Sequence, residues 1–341
     1  MSINFIDYLK TYLEFEEISI KEFAHNIDMN YTQLSQILSK KRDISDDFIQ
    51  KIILVTPFTR EDITKINDNY KLEKTIIESI KEHNDTIHDY IERYNYKKLE
   101  SFDNNIVLRN IKDELQVVKD IMKYLRITNP YLDKDVSIFF KSKCNKIELV
   151  NIWLEKCFRI TKTQTLNNYN KETSINNIVE YINTSAINYK FEINELIQIF
   201  NYNGVYLAIA DDLPGSKIRG AFKVQSSKPA IYITTKHKRQ ADIYFALLHE
   251  LAHLKSDFNK AKSTALLSLI DTGNNQLNQI ETIADNKALN WMVKLEDYQL
   301  LKNDLNNIET YENKMFLVYR LAKDNIISYS SDLYQKYNKL I

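Results

Sequence analysis

Apolar positions recur at helical spacing through the first sixty-five residues, interrupted by side chains that favour helix starts. The pattern predicts one helix from Asn4 to about Glu17, then Ser19 capping Ile20 to Ile27. A turn at Asp28-Met29 follows, and then Asn30 capping Tyr31 to Leu38. Ser45 and Thr59 read as caps of two further short helices. Beyond them the spacing becomes heptad-like. Ile63, Tyr70, Ile77, Asn84 and Ile91 fall at one position, and Ile66, Glu73, Ile80, Ile87 and Tyr94 at the other. Leu108, Ile111, Leu115, Val118, Met122 and Leu125 form a second stripe, after a polar break around Ser101 to Asn104. Two such stripes predict an antiparallel helical hairpin, or a seam shared by two chains that would make residues 63–125 a homodimer interface. In either case Asn84 is expected at a core position, setting register.

Period-2 segments come only later. Val205 to Ala210 reads as a strand, and Ala221 to Gln225 with Ala230 to Thr235 as a hairpin turned by Ser226-Ser227-Lys228-Pro229. Glycine usage agrees, since Gly204, Gly215, Gly220 and Gly273 are the only glycines and the first two hundred residues have none. Sheet turns concentrate where positive φ is available, so the chain reads as mostly α with a small α+β domain at its C-terminal end. The expected division is residues 1–65, a helical linker over 66–130, and 131–341.

Composition narrows the partners. Lys plus Arg and Asp plus Glu both number 46, so nucleic-acid contact, if made, is local. Residues 1–65 carry eight basic against eleven acidic side chains, yet Lys40, Lys41 and Arg42 form a basic patch after the third helix. Short helices joined by tight turns match a helix-turn-helix, whose second helix enters the major groove of operator DNA. Leu34, Ile37 and Leu38 then face the core. Tyr31, Thr32, Gln33, Ser35 and Gln36 face outward, where Gln reads adenine and the basic patch holds phosphates. The competing reading is a helical module that contacts protein.

No basic segment leads into an apolar leader, and no run is long enough to span a bilayer. Cys144 and Cys157 have neither metal spacing nor a disulfide framework and read as buried or idle thiols. These features predict an unexported, cytoplasmic protein without membrane contact.

The chemistry is concentrated at His249-Glu250-Leu251-Ala252-His253, followed by Glu281 and Asp285. Histidines four apart share a helix face and can aim at one ion, predicted to be Zn2+. Glu250, next in line, falls beside the ion as a general base. Glu281 can supply the third ligand, and Asp285, one turn on, can accept the second N–H of a ligating imidazole. The apolar stretch Ala241 to Leu248 suits a buried helix; the competing reading is a pair of helix histidines satisfied by ordinary hydrogen bonds. His237 is a candidate oxyanion stabiliser, and His83 and His88 read as solvated side chains.

Glu22-Phe23-Ala24 through Leu34 to Arg42 resembles the XRE-type helix-turn-helix in the form found in HigA-like antitoxins. His249 to His253 with Glu281, Ala284, Asp285 and Ala288 resembles the ImmA/IrrE family of zinc metallopeptidases, and Trp153-Leu154 and Gly204-Val205 are similar to the fused architecture. Lys287 departs from the Phe usual in that family, and Trp291-Met292 stands where Met-Pro often follows. The resemblance implies a zincin-like fold of gluzincin type, with His249, His253 and Glu281 as ligands and Glu250 as base. It also implies a cytoplasmic peptidase that cuts a partner transcriptional repressor and so derepresses stress, phage or mobile-element genes. Two other functions share these features. One is a HigA-like repressor or antitoxin whose peptidase-like domain binds partners, such as a toxin, without cleaving; the other is a toxin or defence protease acting on a host protein.

Overall fold

The computed structural model describes residues 4–132, 146–236, 238–258, 266–269, 277–303 and 305–341. His237 and Cys144 lie outside the described residues. The chain is mostly helical with one small sheet, and it divides into two compact units: 1–92, 108–122 and 127–132 form the first, and the remainder forms the second.

In the first unit, helices α1 (Phe5–Phe15), α2 (Ile20–Asn26), α3 (Tyr31–Leu38) and α4 (Asp46–Val55) start where the caps predict. The side chains of Asn4, Ser19, Asn30 and Ser45 accept from Asp7, Glu22, Thr32 and Phe48 amides. Their apolar faces close over one core that includes Phe5, Leu9, Phe23, Leu34, Ile37, Phe48 and Ile52. The helix ends are less ordinary. With no glycine available, Glu17, Asp28 and Lys40 take left-handed φ values of 57°, 47° and 61°. After Lys40, for example, the amides of Lys40 and Lys41 return to the carbonyls of Ile37 and Gln36, satisfying the end of α3.

Thr59 does cap a helix, through a reciprocal capping box with Asp62, but α5 (Arg60–Glu82) runs 23 residues and is not short. It therefore passes through position 65. The heptad stripe does not continue beyond it. His83 closes α5, and Asn84 adopts φ 54°, exposed, with the Asn84 and Asp85 amides bonded to Lys81 and Ile80 carbonyls. Asn84 is thus a helix terminator and not a core register residue, because Asn tolerates the left-handed conformation a helix end requires. Ile87 opens a separate helix, α6 (Ile87–Arg93); the 3-10 turn Tyr96–Lys98 and α7 (Leu99–Phe102) that follow belong to the second unit. Helix α8 covers only Glu114–Leu125, so Leu108 and Ile111 precede it. Polar pairs join these pieces of the first unit, Lys119 to Glu73 at 2.9 Å and Ser79 to Asn129 at 3.0 Å. The two histidines read as solvated are exposed, and each also makes a contact. His83 bonds the Ser79 carbonyl and stacks on Tyr131 with centroids 3.7 Å apart, and His88 pairs with Glu114 at 2.7 Å.

The second unit is built on a sheet in the order β1-β3-β2-β4, from β1 (Tyr206–Ala210), β2 (Ile218–Gln225), β3 (Lys228–Thr234) and β4 (Leu266–Leu269). β1 lies parallel to β3, and β2 is antiparallel to both β3 and β4. The expected hairpin forms, but its turn is only Ser226-Ser227, both at positive φ. Lys228 and Pro229 belong to β3, opposite Gln225 and Val224. Proline is tolerated there because β1 begins opposite Ala230, so β3 has a single neighbour at Pro229.

Helices α9 (Ile147–Thr161), α10 (Lys171–Ile187) and α11 (Ile193–Tyr202) precede the sheet, and α12 (Gln240–Asp257), α13 (Leu277–Met292), α14 (Leu295–Leu301), α15 (Lys314–Lys323) and α16 (Asp332–Tyr337) follow β3 in order, with β4 between α12 and α13. Alternation along the strands sorts the two faces of the sheet. Leu207, Phe222, Ile231 and Ile233 join the core around α12, whereas Tyr232 packs edge-on against Trp153 of α9. The free cysteine Cys157, also on α9, is buried as expected. No helix among the described residues is long and apolar enough to cross a membrane.

Candidate metal centre

Helix α12 is enclosed on nearly every side, by β2 and β3, α10, α13 and α15, so its middle turns carry apolar side chains all round. Its start is held from far away in sequence. Asn338, fully buried, accepts from the Ala241 amide at 2.9 Å, and the Arg239 guanidinium donates to the Asn338 carbonyl at 2.6 Å. Nothing local at Arg239 supplies a side-chain cap, so sequence reading could not have found this one.

Three turns along, His249, Glu250 and His253 are 2%, 1% and 3% exposed, which removes competing water from whatever they bind. His249 and His253 bring their Nε2 atoms to 3.0 Å. Glu281 of α13 closes the triangle, with its two carboxylate oxygens 3.2 Å from His249 Nε2 and 3.3 Å from His253 Nε2. One ligand atom from each of these three residues lies within 4.8 Å of the others. Two imidazoles and a carboxylate are the donor set of a catalytic zinc site, and the residues present fit such an ion.

Asp285 follows Glu281 by one turn and bonds His249 Nδ1 at 2.7 Å. A neutral His249 then carries its proton on Nδ1 and directs the Nε2 lone pair toward Glu281 and His253. Asp285 is itself fixed by Lys323 of α15, whose Nζ lies 2.8 Å from its other oxygen and 3.9 Å above the Phe245 ring. Burial works against charge on all of these groups, and the contacts outweigh it for three. In His249, burial is overcome by the bonds to Asp285 and Glu281, which hold the imidazole above its usual value. Glu281, against burial, is drawn down to about 2 by both histidines, and Asp285 is lowered by His249 and Lys323. Lys323 is the exception. Burial leaves it below the ordinary amine range despite Asp285, and the charge of Arg219 pushes the same way.

Glu250 sits against β2. A Cβ at Gly220 would stand 2.6 Å from Glu250 Oε1, so only glycine leaves room for the carboxylate in this place. A glycine inside a strand is a local sign of close approach, and it was readable in principle. Lys323 and Asn338 gave no such sign. Scans against family models and against curated proteins find no match for this chain.

The candidate DNA-contacting residues lie in the first unit and are described apart. Tyr31, Thr32, Gln33 and Gln36 are exposed along α3 and Ser35 is half-buried, while Leu34, Ile37 and Leu38 are buried as expected. Lys41 and Arg42 are exposed just beyond the helix. Lys40 differs from the expectation of a free phosphate ligand, because its Nζ pairs with Asp7 of α1 at 2.7 Å.

Proposed function

We propose that this chain is a zinc-dependent endopeptidase of the ImmA/IrrE type, zincin-like in its second unit, with an XRE-type operator-binding module at its N-terminal end. Its substrate would be a partner transcriptional repressor in the cytoplasm, cut to derepress the genes it silences. The observation that carries this reading is the convergence of His249, His253 and Glu281 within 4.8 Å, with Glu250 between the two histidines on α12. A site serving only structure would have no need of that fourth, separately held carboxylate.

Zinc in such a site supplies Lewis-acid polarisation of the scissile carbonyl and a water acidic enough to be used near neutral pH. The chain's own residues do the rest. Glu250, buried and braced over Gly220, takes the proton from the attacking water and returns it to the leaving amine. Asp285 and Lys323 hold the tautomer and orientation of His249, so the donor triangle is set before substrate arrives. The outward face of α3 supports the DNA-binding half, with Gln33 and Gln36 toward base edges and Lys41 and Arg42 toward phosphates.

Co-expression with repressors encoded beside it tests the reading. Wild-type chain should yield a cut repressor fragment, and Glu250→Gln should bind zinc equally and yield none. Cleavage by Glu250→Gln at the wild-type rate, or a wild-type protein that purifies and reconstitutes without zinc, refutes it. For the N-terminal module, a gel shift titrated in salt should show altered sequence preference in Gln33→Ala and Gln36→Ala. Unchanged preference in both removes α3 as the reading helix.

A further inference from the structure

Arg219 and Gly220 are consecutive residues of β2, and both address helix α12. In a regular strand neighbouring side chains point to opposite faces. Gly220 lies against Glu250, while the Arg219 guanidinium lies 5.6 Å from the ring centroid of Phe245, one helical turn before His249. The pairing of β2 with β4 explains this. Ile218 stands opposite Leu269 and Gly220 opposite Ser268, so the register shifts there and Arg219 is the extra residue. Such a bulge re-aims one side chain, here onto the face that carries the candidate metal centre.

Arg219 is half-buried, and among the described residues its guanidinium makes no ion pair or hydrogen bond; it lies over Phe245. Three acids on the elements around it already accept other hydrogen bonds. Asp285 accepts from Lys323 and faces His249; Asp242 accepts from Tyr334 and Asn338; Asp324 accepts from Tyr298. Lys323, the other cation over Phe245, is paired with Asp285, whereas Arg219 has no such ion pair among the described residues. A guanidinium half-withdrawn from water and held over an aromatic ring is preorganised to receive a planar, two-oxygen anion.

We propose that Arg219 is a specificity-determining residue that binds a carboxylate of the substrate peptide close to the bond being cut. Proximity follows from the chain itself. Arg219 adjoins the residue that lies against Glu250, so a peptide served by Glu250 passes within reach of the Arg219 side chain. The inference rests on the peptidase reading above and adds to it the class of sequence preferred, a peptide with Asp or Glu flanking the scissile bond.

The test uses the full-length, zinc-loaded Glu250→Gln protein, in which binding is read without turnover. The probes are fluorescent decapeptides of Ala and Ser, acetylated and amidated, with one Glu walked through the sequence. Matched sets carry Gln or Lys in place of Glu, and a further set has a free C-terminal carboxylate. The best Glu peptide should bind about tenfold tighter than its Gln counterpart. Adding Arg219→Gln should abolish that preference, and adding Arg219→Glu should turn it toward the Lys peptides, with zinc content and melting temperature unchanged. If only the free-acid peptides show the preference and Arg219→Gln abolishes it, the carboxylate bound is the chain end and the assignment of Arg219 still holds. Equal binding of Glu and Gln peptides, or a preference that survives Arg219→Gln, overturns it. Casein hydrolysis by the parent protein separates the two readings. Hydrolysis with no Arg219-dependent preference refutes the inference and leaves the peptidase standing, whereas preference without hydrolysis of any substrate refutes the peptidase.

Discussion

Adding one methyl group to β2 should disable Glu250 while leaving the fold and the donor triangle in place. In Gly220→Ala the new Cβ would meet Glu250 Oε1 at 2.6 Å, and Glu250 Cγ and Ile233 Cδ1 at 3.1 Å each. The tightest of these contacts is to the far end of a flexible side chain, so the carboxylate yields before the strand does. Turning Glu250 away from its rotamer costs about 1 kcal/mol. Restricting the unfolded chain by replacing glycine offsets about 0.4–1 kcal/mol of that. Stability should therefore change by no more than about 1 kcal/mol, and zinc content should not change. Catalysis is another matter, since misplacing a catalytic group by about 1 Å loses on the order of 10²-fold in rate. That corresponds to about 2.7 kcal/mol of transition-state stabilisation. On the proposed peptidase activity, a quenched fluorescent peptide spanning the cut found in the co-expressed repressor reads kcat/KM, with zinc stoichiometry and Tm measured on the same preparations. Glu250→Asp supplies an internal control. Its shorter side chain retreats from β2, so Gly220→Ala should have little further effect in that background. Wild-type activity in Gly220→Ala would refute the reasoning, and so would loss of activity that merely tracks loss of zinc or of fold.

Other predictions concern the frame around the site. Asn338→Ala removes the remote cap of α12 and should lower unfolding free energy by about 1–2 kcal/mol in denaturant titration; no change would mean that water replaces the cap. Tyr124→Phe removes the phenol that donates to Asp103 at 2.6 Å inside the second unit, an expected loss of about 1–3 kcal/mol at pH 7. Burial raises the Asp103 pKa, but its bonds from Tyr124 and Asn105 prevail and hold it below 3.8. Its contribution is therefore complete above pH 3.8 and disappears as pH falls through the folded value, so parent and variant should converge in acid; a gap that stays constant to pH 2 contradicts this. Glu17→Gly relieves a left-handed residue at the end of α1 and should raise stability by about 1 kcal/mol, read as a higher midpoint in urea. A fall in midpoint would show that Glu17 makes a compensating contact.

What the sequence disclosed was local in origin. Ser, Thr and Asn side chains reach their own helix amides within three residues, so the starts of α1 to α5 could be read directly from the chain. The spacing of His249 and His253, and of Glu281 and Asp285, likewise encodes which side chains share a helix face. The ends were harder, because the first two hundred residues have no glycine and terminate their helices with ordinary residues. Asn84 at φ 54° looked like one more heptad position. Strand β4, the bulge at Arg219 and the anchoring of Asp285 by Lys323 all depend on partners distant in sequence. No window of neighbouring residues contains them.

The third donor of the triangle lies across a connection that also contributes β4, from His253 on α12 to Glu281 on α13. A cation held by both helices would tie the two ends of that connection together in the folded state, adding its binding free energy to stability. Ion affinity and thermal resistance then become two readings of a single quantity, and a chelator would loosen the sheet edge as well as empty the proposed site.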